Sequence, residues 1–231
     1  MRLHSAPVSV VIAIYNGEPY LGAAIRSVLA QTLPAAELLI VDDGSTDATP
    51  QVCAEFGSEL RYLRLPHGGV ATALNAGIVA TTFEWLAFLD ADDLWSPEKL
   101  KRQFEVVSDR PDVDMVFGQM RQFRSPELAG PPGPADDQVF PGLSRGALLI
   151  RRAAMRQVGG FEEHWRVGEF VEWYLRAQDC GLREVMLDDI LFHRRLHDTN
   201  MGRREPATGV DFARIIKRAL DRRRQTPPSA I

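Results

Sequence analysis

"FLDADDLW", residues 88–95, places three aspartates within four positions directly after an apolar run. That run, "EWLAFLD" at 84–90, has strand length and no interruption before its final aspartate, as expected of a parallel strand covered on both faces by helices. In open sheets of this kind ligands bind beyond the carboxyl ends of the strands, so the aspartates stand where a ligand is expected. In an extended chain alternate side chains share a face, and Asp90 and Asp92 are expected to point the same way. Carboxylates packed this closely repel one another unless a cation neutralises them. Mg2+ or Mn2+ suits the pair, because such ions take few protein carboxylates and complete their shell with phosphate and water oxygens. The competing use is helix capping, with Asp92 or Asp93 closing a helix that opens near Ser96.

Upstream the same pattern occurs twice. "VSVVIAI" (8–14) runs into Tyr15-Asn16-Gly17, and "ELLIVDD" (37–43) runs into Gly44. Amphipathic segments at 24–31, 48–56 and 70–80 alternate with these runs and with "LRYLRL" at 60–65. Alternation of this kind reads as α/β, a mostly parallel sheet flanked by helices, with three polar strand ends facing one crevice. "HGGVATALNAG" (67–77) sets glycines before a helix whose free N–H groups suit phosphate.

Downstream the texture changes. "SPEKLKRQFEVVSD" (96–109) reads as a helix opened by a serine cap and a first-turn proline, and "PDVDMVFGQMRQF" (111–123) as a strand. Residues 125–142 hold five prolines in the run 126–141 and are expected to form a mobile loop. A helix over 169–181 presents Phe170, Trp173, Tyr174 and Ala177 on one face; short strands at 184–187 and 190–195 and a closing helix around 208–223 follow.

The 231 residues suffice for one sizeable domain, and a composition of 45% hydrophobic and 25% charged residues is that of a soluble globular protein. No stretch is apolar for the length a bilayer requires, and no cleavable leader is apparent, so a cytoplasmic protein is expected. Cys53 and Cys180 lack metal-binding spacing and are expected to be buried free thiols. The net charge of −4 conceals an asymmetry: residues 194–224 carry ten Lys/Arg against four Asp/Glu. Such a basic end fits an anionic neighbour and permits peripheral contact at the inner membrane face, without showing an apolar face large enough to require it. No G-x-G-x-x-G follows the first strand, which argues against a dinucleotide dehydrogenase, and no nucleic-acid partner is expected.

Six blocks in order resemble the family-2 glycosyltransferases of the GT-A fold: "VSVVIAIYNGEPYLGAAIRSVLAQT", "ELLIVDDGSTDAT", "GGVATALNAGI", "FLDADD", "LIRRAAMRQVGGFEE" and "RRLHDTN". Together they span about the first 200 residues. The resemblance implies a GT-A domain over 1–204, with a nucleotide-sugar half at 1–110 and an acceptor-side half at 111–204, followed by a basic helix and tail at 205–231. It implies a nucleotide-diphosphate-sugar donor, a UDP-sugar by preference, a Mn2+ or Mg2+ cofactor, and inverting transfer to a glycan, lipid-linked or peptide acceptor. Carried over by position, it puts Ala13, Tyr15, Asn16 and Glu18 around the base and ribose, with Asp43 reading the base and Asp42 beside it. Asp90 approaches the ribose or the metal's waters, Asp92 ligates the metal, His197 completes its shell, and Asn75 and Arg195, with Arg194, serve the donor. Leu74 stands where relatives often have an arginine.

One departure bears on catalysis. Relatives present a Glu-Asp pair at the start of the helix after "GGF", whereas "GEFVEWYLR" (168–176) matches the glutamate with Glu169 and has Phe170 in place of the aspartate regarded as the base. Phenylalanine accepts no proton. Glu169 or Glu172 must then be the base, or the chain is a nucleotide-sugar-binding homologue without catalysis. Acceptor recognition is expected from 125–142, 144–146, Trp165 and Trp173.

Overall fold

A computed structural model describes residues 5–128, 131, 133, 136–165, 167–198 and 208–225. The Thr199–Asn200 end of the "RRLHDTN" block and the expected boundary at 204 lie outside them. In chain order the elements are β1 (Ala6–Ile14), α1 (Glu18–Leu29), β2 (Ala35–Asp42), α2 (Thr49–Ala54), β3 (Arg61–Arg64), α3 (Val70–Ala80), β4 (Trp85–Asp90) and β5 (Leu94–Trp95). Then come α4 (Lys99–Asp109), β6 (Met115–Arg124), β7 (Val139–Pro141), β8 (Leu149–Arg151), α5 (Arg152–Val158), α6 (Glu169–Asp179), β9 (Glu184–Leu196) and α7 (Thr208–Gln225).

The strands form one mixed sheet in the order β3-β2-β1-β4-β8-β6-β9-β5, with β7 added on β6. Its first half, β3-β2-β1-β4, is parallel throughout. Beyond β4 the sheet mixes directions: β8 runs antiparallel to β4 and β6, while β6 and β9 are parallel. Val8, Val10, Val11 and Ile12 of β1 are fully buried because helices cover both faces, and each such side chain contributes about 1.5–3 kcal/mol. The approach of α3 to the sheet is set by Gly77, where a Cβ would lie 2.5 Å from Val11 Cγ1 and 3.2 Å from Val41 Cγ2. Among the described residues no helix is long and apolar enough to cross a membrane.

Four local expectations are corrected. The helix expected from Ser96 begins at Lys99 without a side-chain cap. Instead the Ser96 hydroxyl lies 2.6 Å from the Ile190 carbonyl and 2.8 Å from His193 Nε2, so it tethers β9. Residues 184–187 and 190–195 belong to one strand, β9, which absorbs the intervening residues as register irregularities against β6. The proline-rich segment ends in strand β7, because Pro141 lacks only an N–H that the edge of a sheet does not need. Cys53 is buried but Cys180 is exposed at the end of α6.

Candidate functional site

Strand register brings the polar ends together. Ala13 on β1 faces Asp90 on β4 and Val41 on β2, and Ile14 faces Asp42. After Asp90 the chain does not stay extended: the Asp93 N–H donates to the Asp90 carbonyl at 3.1 Å, closing a tight turn. As a result Asp90 and Asp92 take different partners, contrary to the alternation expected of an extended chain.

Asp90 accepts a hydrogen bond from Arg145 Nε at 2.7 Å, and the other arm of the same guanidinium pairs with Glu169. Arg145 lies in a single 3-10 turn, Arg145–Ala147, just before β8. Burial, together with Asp92 and Glu169, holds the Asp90 carboxyl above its ordinary pKa despite Arg145. For Arg145 burial acts to lower the pKa, but Asp90 and Glu169 outweigh it and keep the guanidinium charged. Asp92 meets Nε2 of the buried His197 at 2.9 Å, a contact between residues 105 apart in sequence. The imidazole packs on the Tyr20 ring at 4.6 Å, and the Tyr20 hydroxyl bonds Glu127. Hydrogen bonds from Ser125 and Tyr20 hold Glu127 down at about 2.

Arg195 lies beneath this turn rather than over it. Its Nε donates to the Asp92 carbonyl at 2.8 Å, its N–H donates to the Asp93 carboxylate at 2.7 Å, and its guanidinium packs against Tyr20 and Phe123. Burial and the adjacent Asp92 and Asp90 push Asp93 well above the usual carboxylate range. Asp93 thus serves the turn from within, and neither it nor Asp92 caps α4.

On the parallel side the strand-end residues join loop to loop. Asp42, fully buried, accepts the Ser45 N–H at 2.7 Å and the Tyr62 hydroxyl. Asp43 accepts the Gly68 and Gly69 N–H groups at 2.7 and 2.8 Å and lies 2.8 Å from His67 Nδ1. Those glycine N–H groups therefore face a carboxylate of the chain itself. Asn16 adopts a left-handed conformation (φ 51°); its side-chain oxygen accepts the Thr46 N–H and its own N–H donates to Ser45. Asp47 in turn accepts the Glu18 N–H at the start of α1. Tyr15 is half exposed and stacks on His67 at 4.1 Å. Asn75 spends its amide on both the N–H and the carbonyl of Phe161, tying α3 to the loop before α6.

The two candidate bases separate. Glu169 reaches Asp90 through Arg145, whereas the fully buried Glu172 pairs with Arg176 at 2.8 Å and with Arg222 of α7 at 3.2 Å. Phe170 is buried among Phe117, Trp173 and Tyr174. Trp173 is also fully buried, with its indole N–H on the Gly159 carbonyl, so it offers no face to an acceptor. Trp165 is partly exposed, lies tilted against His164 and donates to Glu162.

Sequence reasoning missed Arg145, Tyr20 and His67. Arg145 was visible only as part of the segment 144–146; no local pattern reveals that it joins Asp90 to Glu169. His67 adjoins the glycines of a recognised block and was the more accessible of these signals.

Among the described residues no three His, Cys, Asp or Glu side chains gather as a metal cluster. Asp92 and His197 do converge, and an oxygen–imidazole pair with Asp90 nearby fits Mn2+ or Mg2+, which keep waters and substrate oxygens in their shell.

The model of the family described as glycosyl transferase family 2 matches residues 9–159. An uncharacterized glycosyltransferase of Nostoc sp. (strain PCC 7120) is 46% identical over 220 residues, covering 84% of this chain and 66% of the relative. Another from Rickettsia typhi is 30% identical over 210 residues, covering 84% and 65%. Across five curated relatives the match spans 30–66% of the relative's length. Among solved structures, S. aureus TarS 1–349 in complex with UDP-GlcNAc has a TM-score of 0.74 at 20% identity, covering 92% of this chain and 65% of that one. Mannosyltransferase PcManGT from Pyrobaculum calidifontis, in complex with GDP-Man and Mn2+, has a TM-score of 0.68 at 19% identity, covering 98% and 66%. At these identities the structural likeness speaks for the fold, the GT-A arrangement.

Proposed function

The chain belongs to glycosyl transferase family 2, and from that premise we propose that it moves a sugar from a nucleotide-diphosphate-sugar to an acceptor hydroxyl with inversion, assisted by a divalent cation. The observation that carries this reading is the meeting of Asp92 with His197 at the tip of β4, one turn from an Asp90–Arg145–Glu169 bridge. Residues 1–110 are the donor half and 111–204 the acceptor half, with 205–231 an appended basic segment. Asp92 and His197 would hold the cation, with Asp90 directed at the ribose or at its waters. When bound, Mn2+ or Mg2+ neutralises charge on the departing diphosphate.

The chain's own groups supply the rest. Tyr15, stacked on His67, offers a platform for the base, and the Asp43 carboxylate, fixed by two glycine N–H groups, is placed to accept an N–H of a uracil-like base; this favours a UDP-sugar. Asn16, Asn75 and Arg195 act by holding the loops that carry these contacts. Glu169 takes the acceptor's proton, with Arg145 positioning its carboxylate. Glu172 is engaged by two arginines and holds α6 to α7.

The test is nucleotide release from UDP-, GDP- and dTDP-sugars with Mn2+ or Mg2+ and candidate glycan, lipid-linked and peptide acceptors. Release from one donor class, falling about 100-fold in Asp92→Asn, is expected. A folded protein that releases nothing from any donor overturns the reading. The burial of Phe170 in an aromatic cluster favours a second reading, a binding homologue without turnover. Calorimetry distinguishes it by metal-dependent UDP binding in the absence of release.

A further inference from the structure

The helix that ends the described chain is amphipathic twice over. Ile215 and Ala219 of α7 are buried against α6, and Phe212 and Ile215 abut Gly168, the residue before Glu169. Arg218 pairs with Glu162, while Arg222 and Arg223 reach Asp179. These contacts decide which face is left outward. Val210, Ile216 and Leu220 remain exposed at 53%, 53% and 47%, with Ala213 exposed between them. At about 100° per residue these four share an arc of roughly 120° on the side away from the buried stripe. Lys217 and Arg224 lie within that arc, and the two acids of the helix lie outside it, Asp221 at its border, where it meets Arg224 at 3.7 Å. In total α7 carries six Lys/Arg against two Asp.

The sequence alone showed no apolar face demanding a membrane, because Ile215 and Ala219 compete with Ile216 and Leu220 for the same count of apolar residues. Docking of α7 on α6 resolves the competition: one apolar stripe is consumed and a second is left facing solvent.

We propose that α7 is a peripheral docking helix that lays the ridge of Val210, Ala213, Ile216 and Leu220 on an anionic lipid surface. Charge complementarity selects this occupant. Lys217 and Arg224 rise from among the apolar residues on long stems that suit an acyl boundary below and phosphate headgroups around it. Against a second copy of the same ridge those cations would meet their own kind, so self-association is disfavoured. The helix is too charged to span a bilayer, so the contact proposed is that of a surface helix. This inference stands apart from the transfer reading, since it needs neither donor nor turnover.

Co-sedimentation of the full chain with vesicles tests it. Binding to phosphatidylcholine vesicles containing phosphatidylglycerol is expected, with about tenfold weaker binding to phosphatidylcholine alone and release by high salt. The exposed pair Ile216→Glu and Leu220→Glu should retain the melting temperature yet lose anionic-vesicle binding about tenfold or more. Failure of the unaltered chain to sediment with anionic vesicles overturns the proposal, as does undiminished binding by the double variant. A dimer, seen by light scattering, that the same substitutions turn into a monomer also overturns it.

Discussion

The acids at the end of β2 are held largely by backbone N–H groups, whereas Asp90, at the end of β4 where the parallel half meets the mixed half, and the glutamates of α6 are held by guanidinium groups. Asp42 takes the N–H of Ser45, and Asp43 those of Gly68 and Gly69. Glu169 and Asp90 share Arg145, and Glu172 takes Arg176 and Arg222. Backbone donors are fixed once the fold forms, and they confer geometry without mobile charge. Guanidinium groups sit on long side chains that can exchange one partner for another, which suits the region proposed to carry the proton transfer. The contrast separates a region built to hold from one built to respond.

The sharpest way to break that contrast is to substitute the two glutamates of α6. Glu169→Gln should lower the rate of transfer by about 10²–10⁴-fold while leaving the melting temperature nearly unchanged, because a glutamine still accepts from Arg145 but takes no proton. Steady-state kinetics beside thermal melts will show it. Glu172→Gln should do the reverse, costing about 1–3 kcal/mol of stability by weakening the two ion pairs that this fully buried carboxylate makes with the partly buried Arg176 and Arg222, with transfer by the folded fraction largely kept. Denaturant titration measures that cost. An exchange of these two phenotypes would reassign the base.

On the parallel side, Gly77→Ala sharpens the comparison from the packing end. The new Cβ meets Val11 and Val41, and the helix must back away at about 1–3 kcal/mol, again read by denaturant titration. A stability equal to that of the unaltered protein would mean that α3 sits farther from the sheet.

The smallest effect concerns His193 of β9. Burial, followed by the charge of Arg121, holds its pKa below the ordinary 6.5. As the pH falls the unfolded chain therefore takes up this proton before the folded one does, so the contribution to stability is present above the ordinary pKa and is lost below it. His193→Gln should accordingly lose less melting temperature than the unaltered protein between about pH 7 and about pH 5. Parallel acid-side losses in the two proteins would assign the decline to other groups.

Comparison of elements explains what was legible. β1, β2 and β4 were readable because each is an unbroken apolar run, and the period of such a run is local information. α3 was read to its end residues for the same reason. The sequence is read as two short strands where the sheet has one, because β9 carries the chain past Asp188 and Asp189 with an irregular register against β6. Ser96 was read as a cap because capping is a local habit, whereas a strand 94 residues away claimed its hydroxyl.

The site divides along the same line. The convergence of Tyr15, Asp43 and Asp90 at adjacent strand ends followed from the alternation of strands and helices, and the Asp92–His197 meeting was approached through a resemblance rather than through spacing. The chain order alone determined that the parallel β3-β2-β1-β4 half of an α/β sheet would form and that its acids would gather at the carboxyl ends of its strands, because hydrophobic period and strand polarity are properties of short segments. Only the folded molecule decided that Arg145 joins Asp90 to Glu169, that Glu172 belongs to α7, and that Ile216 and Leu220 face outward. Each of those outcomes depends on which distant side chain arrives first at a shared space, and no local pattern encodes such a competition.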